Sequence, residues 1–200
     1  MPEPSSHTIK VVHGKKIEPH LEALASLRIE IFREFPYLYD GSIEYERNYL
    51  KTYTGSTESI AVLVFDGDQM VGASTGLPLR DETDEFKAPF LQHDHNPEHI
   101  FYCGESILKR NYRGRGIYST FMNEREKHAR RLNRFKTICF CGVVRPDNHP
   151  LRPNNFQPLD PVWKKFGYQK QPELTTYYHW KDLNEESESA KKMVFWLKEL

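Results

Sequence analysis

Hydrophobic side chains recur at helical spacing in the first part of the chain. Between residues 17 and 35, leucine, isoleucine and phenylalanine return every three or four positions, which predicts a helix that Pro36 ends. Ser42 then has the position and chemistry of an N-cap, so we predict a second helix from there to about Tyr53. Ahead of both helices, Thr8–Val12 is predicted to form a short strand.

Apolar runs and alternating patterns predict strands over much of the remaining chain. Ser59–Phe65 and Gln69–Gly76 flank Asp66-Gly67, a dipeptide typical of tight hairpin turns, and therefore predict an antiparallel pair. Four further strands are predicted at Ile100–Leu108, Thr137–Val144, Leu174–Trp180 and Met193–Leu197.

The segments between these strands have different characters. Residues 79–99 are polar and contain two prolines, which predicts a partly helical excursion, and a helical pattern follows residue 116. A proline-rich loop, Pro146 to Pro161, leads to a short helix that Gly167 ends. The length of 200 residues suits one α/β (α+β) domain over 1–200.

Residues 113–119 read Arg-Gly-Arg-Gly-Ile-Tyr-Ser and stand between an apolar strand and a helix. That arrangement points free backbone N–H groups at an anion, because the first amides of a helix have no partner inside it. Gly114 and Gly116 lack the Cβ atoms that would keep a ligand away from those amides. We therefore predict a phosphate-bearing ligand at this turn.

Positive charge is concentrated around the same turn. The whole chain has 28 Lys+Arg and 28 Asp+Glu, whereas residues 109–136 contain ten Lys or Arg against two Glu. A local excess in a neutral protein favours a polyphosphate ligand. We assign Arg113 and Arg115 to that ligand, and the arginines of the following helix to an ordinary solvated face.

Composition argues against several classes of protein. No apolar run approaches the roughly 20 residues that span a bilayer, and Met-Pro-Glu-Pro-Ser-Ser-His at the start lacks the features of a secretory signal. Three cysteines without metal-ligand spacing indicate thiols in a reducing compartment, so we expect a cytoplasmic protein without membrane association. His93, His95 and His99 lack metal-site spacing, so no metal is expected, and the neutral chain carries no nucleic-acid recognition module.

The order of elements, together with Asn111-Tyr112-Arg113-Gly114-Arg115-Gly116, resembles the GNAT superfamily, the Gcn5-related N-acetyltransferases. The signature of that superfamily is Gln or Arg, two variable residues, Gly, one variable residue, then Gly or Ala. Lys165-Phe166-Gly167-Tyr168 is also similar to the Lys-Leu-Gly-Phe ending of the superfamily's last helix. The resemblance covers residues 8–197 and implies a mixed central sheet of six to seven strands, flanked by helices, with splayed central strands.

The resemblance further implies acetyl-CoA as the cosubstrate, with no metal. Backbone groups of Ile107, Leu108 and Lys109 would pair with the pantetheine arm of coenzyme A. The residues implied to hold its pyrophosphate are Arg113, Gly114, Arg115, Gly116, Ile117, Tyr118 and Ser119. Asn111 departs from the usual Gln or Arg, and Tyr118 stands where many relatives have a small residue, which narrows the mouth of the site.

The implied reaction moves an acetyl group to a primary amine of a small molecule or peptide. An alkylammonium has a pKa near ~10.4, so a base must take its proton, and Glu105 on the predicted central strand is the candidate. The alternative for Glu105 is a strand carboxylate that pairs with a buried arginine or faces solvent. Trp163 occupies the position of the family's tyrosine acid, which leaves Tyr118, Tyr168 or water to protonate the leaving thiolate.

Three segments are expected to surround the acceptor. They are the loop after the first helix, the second strand of the hairpin, and the loop that starts at Arg145. The predicted acceptor-binding residues are Tyr37, Tyr39, Thr75, Arg145 and His149. The cationic members would clamp a carboxylate or phosphate, and the alternative for their loop is a rigid, solvated segment stiffened by prolines. A monomer and a homodimer both fit the sequence.

Two other classes of function compete with acyl transfer. A non-catalytic acyl-CoA-binding sensor fits the missing tyrosine acid. A dinucleotide-dependent oxidoreductase fits less well, because Gly114-x-Gly116-x-x-Ser119 lacks a third glycine and Thr137–Val144 ends without an acidic residue to hold a ribose.

Overall fold

The computed structural model describes residues 7–200, and an eight-stranded sheet runs through them. Residues 1–6, which belong to the stretch considered above for signal features, lie outside this range. The strands are β1 (His7–His13), β2 (Ile60–Asp66), β3 (Gln69–Pro78), β4 (Ile100–Tyr102), β5 (Ser106–Leu108), β6 (Thr137–Val143), β7 (Gln169–Trp180) and β8 (Ser189–Glu199). Their order is β1-β2-β3-β4-β6-β8-β7, with β5 paired to β3.

Five α-helices cover the two faces of the sheet. They are α1 (Leu21–Phe32), α2 (Ile43–Gly55), α3 (Asp84–Gln92), α4 (Ile117–Arg131) and α5 (Asp160–Lys165). Short 3₁₀ turns lie at Gly14–His20, Leu79–Asp81, Pro97–His99 and Arg110–Tyr112. The mixed sheet flanked by helices confirms the predicted fold class.

Alternation along the strands divides the core into two layers. Leu63 of β2 packs with α1, α2 and α3, whereas its neighbours Val62 and Val64 pack with α4 on the opposite face. Each layer is closed by large aromatic side chains, among them Tyr53 on the first face and Phe121 on the second. An opening in the sheet therefore connects the layer formed by α1, α2 and α3 with the layer formed by α4 on the opposite face.

Local signals predicted several elements correctly. Ser42 caps α2, because its hydroxyl accepts the amide of Tyr45 at 3.3 Å. Asp66 pairs with Gln69 across the predicted hairpin turn, where Gly67 has a φ of 56°. Gly167 follows α5 with a φ of 89°, as a C-terminal glycine does.

Two predicted elements are divided in the structure. The helix predicted over 17–35 is a 3₁₀ turn containing Pro19, followed by α1, which ends at Phe32. The strand predicted over 100–108 is β4 and β5, separated at residues 103–105. That second break raises the strand count to eight and marks the place where the sheet opens.

Candidate active site

The glycine turn at residues 113–116 leads directly into α4. Gly114 and Gly116 adopt left-handed backbone conformations, with φ of 77° and 80°, and Gly116 is the N-cap residue of the helix. Beyond the adjoining residues, a Cβ added at either glycine would meet nothing of the described chain within 4 Å, so the space above the turn is open. The unpartnered first amides of α4 and its dipole make this open end suited to an anion.

The cationic side chains beside the turn are tied to protein groups. Arg113 donates through Nε to the carbonyl of Leu108 at 3.1 Å, and its Nη2 lies 3.2 Å from Glu34 on the loop after α1. Arg110 donates to the same carboxylate at 2.8 Å. The guanidinium of Arg113 is thus engaged by the scaffold, and that of Arg115 lies over the Tyr112 ring at 5.1 Å. Their contact with a ligand stays a prediction.

The sheet opens between β5 and β6. Strands β4 and β6 run parallel only as far as Tyr102 and Cys139, and the last backbone bond between them joins the Cys103 amide to the Cys139 carbonyl at 2.8 Å. Beyond that point β5 stays with β3, while β6 continues along β8 as far as Val143. The edge of β5 that carries Ile107 and Leu108 therefore borders a gap in the sheet. Splayed central strands are what the family resemblance implied.

A hydrogen bond joins α4 to α5 beside this gap. Trp163 Nε1 donates to the hydroxyl of Tyr118 at 2.9 Å. The indole also packs against Gly142 of β6, where an added Cβ would lie 3.1 Å from the ring. Burial raises the pKa of Tyr118, whereas Trp163 and Ser106 act to lower it, so the hydroxyl is protonated at neutral pH. Trp163 has no hydroxyl of its own and thus orients the hydroxyl of Tyr118.

A pocket reaches the same gap from the other face of the sheet. It encloses about 90 Å³ and ends at Gly104 and Cys141, on the two strands that part. Its wall is largely aromatic and includes Phe32, Tyr45, Tyr49, Phe86, Tyr178 and Trp180. A molecule in this pocket and an anion at the glycine turn would meet across the opened strands.

The five predicted acceptor-binding residues lie in different places. Tyr37 and Tyr39 line the pocket. Thr75 is fully buried on β3 beside Glu105. His149 lies on the loop between β6 and α5, where its Nδ1 accepts the Leu151 amide at 3.2 Å.

Arg145 is a structural residue in this fold. It donates through Nη1 and Nη2 to both carboxylate oxygens of Asp182, at 2.7 and 2.9 Å. Its remaining donors reach the carbonyls of Pro36 and Tyr37, both at 2.7 Å. Every nitrogen of the guanidinium thus binds the protein and fixes the loop that carries Tyr37, and the predicted substrate clamp stays a prediction.

A buried charge cluster lies at the inner end of the pocket. Arg28 of α1 donates to Glu46 of α2 and to Glu105, and its guanidinium lies 4.7 Å from the centre of the Tyr49 ring. Burial alone lowers the pKa of Arg28, but the two carboxylates outweigh it and raise that pKa well above its ordinary value. Glu105 lies in the break between β4 and β5 and pairs with a buried arginine, as the alternative expected from the sequence has it, and it reaches the pocket through Arg28.

Sequence reasoning missed Arg28 and Glu46. A signal for Arg28 was present, because it lies four residues after Leu24 and three before Ile31, on the apolar side of α1. A charged residue on such a stripe needs a buried partner. Nothing in the sequence identifies Glu105, 77 residues away, as that partner.

Glu82 is a third buried carboxyl near the pocket, after Glu46 and Glu105. It accepts the Thr83 amide at 3.0 Å and the hydroxyl of Tyr49 at 3.4 Å, and burial raises its pKa to about 7. The folded protein thus holds this proton more tightly than the unfolded chain does. The resulting stabilisation is complete below the unfolded pKa of about 4.5 and is lost as the pH rises through 7.

Glu82→Gln is expected to remove this pH dependence. By linkage, wild type should lose about 2–3 kcal/mol of unfolding free energy relative to the variant between pH 5 and pH 8. Urea unfolding at both pH values measures the difference. Glu173→Gln, at an exposed position of β7, is the matched control and should follow wild type. Parallel profiles for wild type and Glu82→Gln would contradict the assignment.

Two further classes of site were sought within residues 7–200. That range holds no group of three or more His, Cys, Asp or Glu side chains arranged to bind a metal. No helix in the same range is long and apolar enough to cross a membrane.

The opened mixed sheet, the glycine turn before α4 and the pocket that reaches the gap fit a class of protein that holds two molecules against each other, as acyltransferases do. Residues 22–153 match the model of the acetyltransferase (GNAT) family. The chain belongs to that family, which uses acetyl-CoA as a cosubstrate. A comparison with curated proteins finds no match.

Several solved structures share the fold over nearly the whole chain. NAA60 of Arabidopsis thaliana, solved with a bisubstrate analogue, is 13% identical, with a TM-score of 0.60 over 96% of this chain and 99% of that one. An N-acetyltransferase of Staphylococcus aureus Mu50 is 11% identical, with a TM-score of 0.60 over 98% and 99%. The ribosomal-protein-alanine N-acetyltransferase of Brucella melitensis is 14% identical, with a TM-score of 0.58 over 96% and 99%. At these identities the likeness establishes the fold alone.

Proposed function

We propose that this protein transfers the acetyl group of acetyl-CoA to a primary amine. One observation carries the proposal: an open anion-binding turn and an aromatic pocket approach the same gap in the sheet from opposite faces. Such an arrangement suits a reaction in which two molecules must be held together and kept apart from water.

The residues at the turn fit the diphosphate of the coenzyme. Gly114 and Gly116 leave open the space that a Cβ would fill, and the amides from Gly114 to Ser119 would supply hydrogen-bond donors for the diphosphate. The amide of Arg113 already donates to the carbonyl of Arg110 at 3.1 Å. The edge of β5 that borders the gap, at Ile107 and Leu108, would hold the pantetheine arm by backbone bonds. The amide of Lys109 already donates to the Val71 carbonyl of β3 at 2.9 Å. When bound, acetyl-CoA supplies an acetyl group activated as a thioester.

The pocket would orient the amine toward the gap and receive its proton. A neutral amine is the nucleophile, so a carboxylate or a water held by it must take the proton that the ammonium loses. The carboxylates gathered around Arg28 are the acceptors in reach of the pocket, with Glu46 on its wall and Glu105 behind the guanidinium. This extends the role predicted for Glu105 to a pair of carboxylates.

Tyr118 would protonate the leaving sulfur. The hydroxyl oxygen of Tyr118 accepts a hydrogen bond from Trp163 Nε1, so the hydroxyl proton of Tyr118 is not used in that bond and is available for the sulfur. Trp163 and Ser106 also stabilise the phenolate that proton donation would leave, because both act to lower the pKa of Tyr118. Trp163 of α5 stands where the family has its tyrosine acid. A proton donor at Tyr118 would place the acid on α4 instead.

Tyr118→Phe is expected to lower kcat by about 100-fold or more, because it removes the proposed general acid. Its affinity for acetyl-CoA should stay close to that of wild type, because the backbone of the turn is unchanged. Tyr112→Phe is the matched control, since that hydroxyl donates to Asp66 away from the gap. Steady-state kinetics by thiol release measure both variants, and full turnover in Tyr118→Phe would remove Tyr118 from the mechanism.

The proposed function is tested by calorimetric titration with acetyl-CoA, followed by thiol release in the presence of a panel of primary amines. Binding followed by amine-dependent release is the expected result. Binding without release for every amine would favour the sensor hypothesis. Absence of acetyl-CoA binding would refute the proposal.

A further inference from the structure

A row of aromatic rings runs along one wall of the pocket toward the gap. The ring centres of Tyr178 and Phe86 are 5.3 Å apart, and those of Phe86 and Tyr102 are 5.2 Å apart. At the outer end, the hydroxyls of Tyr45 and Tyr178 lie 2.7 Å from each other, and Tyr45 is 42% exposed. An apolar or aromatic molecule that enters past these two tyrosines would stay in contact with rings as far as Tyr102.

The charges at the inner end do not balance. Glu46 and Glu105 share one ion-pair partner, the guanidinium of Arg28, so these three side chains carry a formal charge of −1 when all are ionised. The buried guanidinium of Arg125 donates to the backbone carbonyl of Glu105 at 3.0 Å and offsets part of that charge at Glu105. Glu46 is fully buried and lines the pocket. Its Oε1 lies near the Tyr39 hydroxyl but makes no hydrogen bond of normal geometry within residues 7–200. A buried carboxylate oxygen in this state is stabilised by a cation that brings its own donors.

The two cations beside Trp180 on the pocket wall, Arg145 and Lys191, do not offset the charge of Glu46. Arg145 and Lys191 each lie 5.9 Å from the ring of Trp180. Both are already neutralised, because Arg145 pairs with Asp182 and Lys191 Nζ lies 2.6 Å from Glu185. The anionic end of the pocket is therefore at Glu46.

We propose that the acceptor enters this pocket as a primary ammonium ion on an uncharged apolar or aromatic carrier, with Glu46 Oε1 accepting its N–H donors. The inference rests on the proposed function, whose acceptor it specifies, and makes Glu46 a specificity-determining residue. The rings of Tyr178 and Phe86 would hold the carrier.

Three physical effects favour such an acceptor. An ammonium ion supplies three donors to the unsatisfied oxygen of Glu46 and adds a positive charge beside a carboxylate that shares its ion-pair partner, Arg28, with Glu105. The tyrosine faces attract the same cation, and the carrier loses apolar surface to the wall of rings. A carboxylate on the carrier would instead be placed beside a cluster that is already negative.

Binding of amines without acetyl-CoA tests this inference directly. Titration calorimetry on the full chain would compare phenethylamine with 2-phenylethanol, its uncharged counterpart, and with phenylalanine, which adds a carboxylate. We expect phenethylamine to bind at least about tenfold more tightly than either. Equal binding of the alcohol would overturn the role of the ammonium, and tighter binding of phenylalanine would show that Arg28 recognises a carboxylate.

Glu46→Gln provides the second arm. Its amide oxygen can still accept from Arg28 Nε, so the fold is expected to persist, while phenethylamine should bind at least about tenfold more weakly. Glu44→Gln, at an exposed position of the same helix, is the matched control and should bind like wild type. Unchanged affinity in a folded Glu46→Gln variant would overturn the inference, and the ligand series on wild type decides it if the variant does not fold.

Different results would refute the proposed acetyl transfer and the proposed ammonium site. Tight amine binding without thiol release in the presence of acetyl-CoA would leave the ammonium site standing and refute the acetyl transfer. Thiol release that depends only on amines carrying a carboxylate would support the transfer and refute the ammonium-specific pocket.

Discussion

Replacement of Arg28 by methionine is expected to destabilise the protein by about 3–5 kcal/mol, because it leaves buried carboxylates without their partner. Arg28 binds Glu46 and Glu105, whose side chains are 1% and 0% exposed, so water cannot take its place. The guanidinium also stacks near Phe32 and Tyr49 at 5.0 and 4.7 Å, contacts that methionine would replace only in part. Urea unfolding at pH 7 measures the loss.

A compensating variant separates the effect of charge from that of packing. Arg28→Met combined with Glu46→Gln and Glu105→Gln removes all three charges, and neutral substitution of a complete buried cluster is often tolerated. We therefore expect the triple variant to recover much of the stability that the single variant loses. If the triple variant were as unstable as the sum of its parts, packing and not charge would explain the role of Arg28.

Gly116→Ala is expected to weaken acetyl-CoA binding by about 100-fold, through the loss of charge-assisted bonds from the turn. Gly116 has a φ of 80°, which costs an L-residue about 1–2 kcal/mol, and its Cβ would project into the space proposed for the diphosphate. The methyl group meets nothing else of the described chain within 4 Å, so the fold should survive. Titration calorimetry measures the affinity, and thermal unfolding reports the strain.

Gly67→Ala is the control for backbone strain. Gly67 also has a positive φ, 56°, and an added Cβ there meets nothing of the described chain within 4 Å, but it lies in the hairpin turn after β2. Both variants should lose a similar amount of stability, while only Gly116→Ala loses acetyl-CoA affinity. Unchanged affinity in Gly116→Ala would place the diphosphate elsewhere and undo the proposed cosubstrate site.

Features set by local chemistry were predictable from the sequence. The cap at Ser42, the hairpin turn at Gly67 and the glycine turn before α4 each depend on what a few neighbouring residues can do with their backbones. The fold class followed from the order of these elements and the resemblance to a known family.

Features set by distant contacts were not predictable. A continuous apolar run from Ile100 to Leu108 cannot show that the chain changes partners at residues 103–105. There Gly104 is required by a close approach, since an added Cβ would lie 1.8 Å from the Tyr53 hydroxyl. The same holds for Arg145 and Arg113. The residue type indicates a positive charge, but the sequence does not show that Arg145 pairs with Asp182 or that Arg113 pairs with Glu34.

The match to the acetyltransferase family ends at residue 153, whereas Tyr178, Trp180 and Met193 of the pocket belong to the last two strands. These strands join the rest of the sheet through the pairing of β8 with β6. Under the proposed function, the residues that bind the coenzyme and many of those that select the acceptor thus lie in separate stretches of the chain. Selection for a new acceptor could then remodel the terminal hairpin and leave the diphosphate anchor untouched.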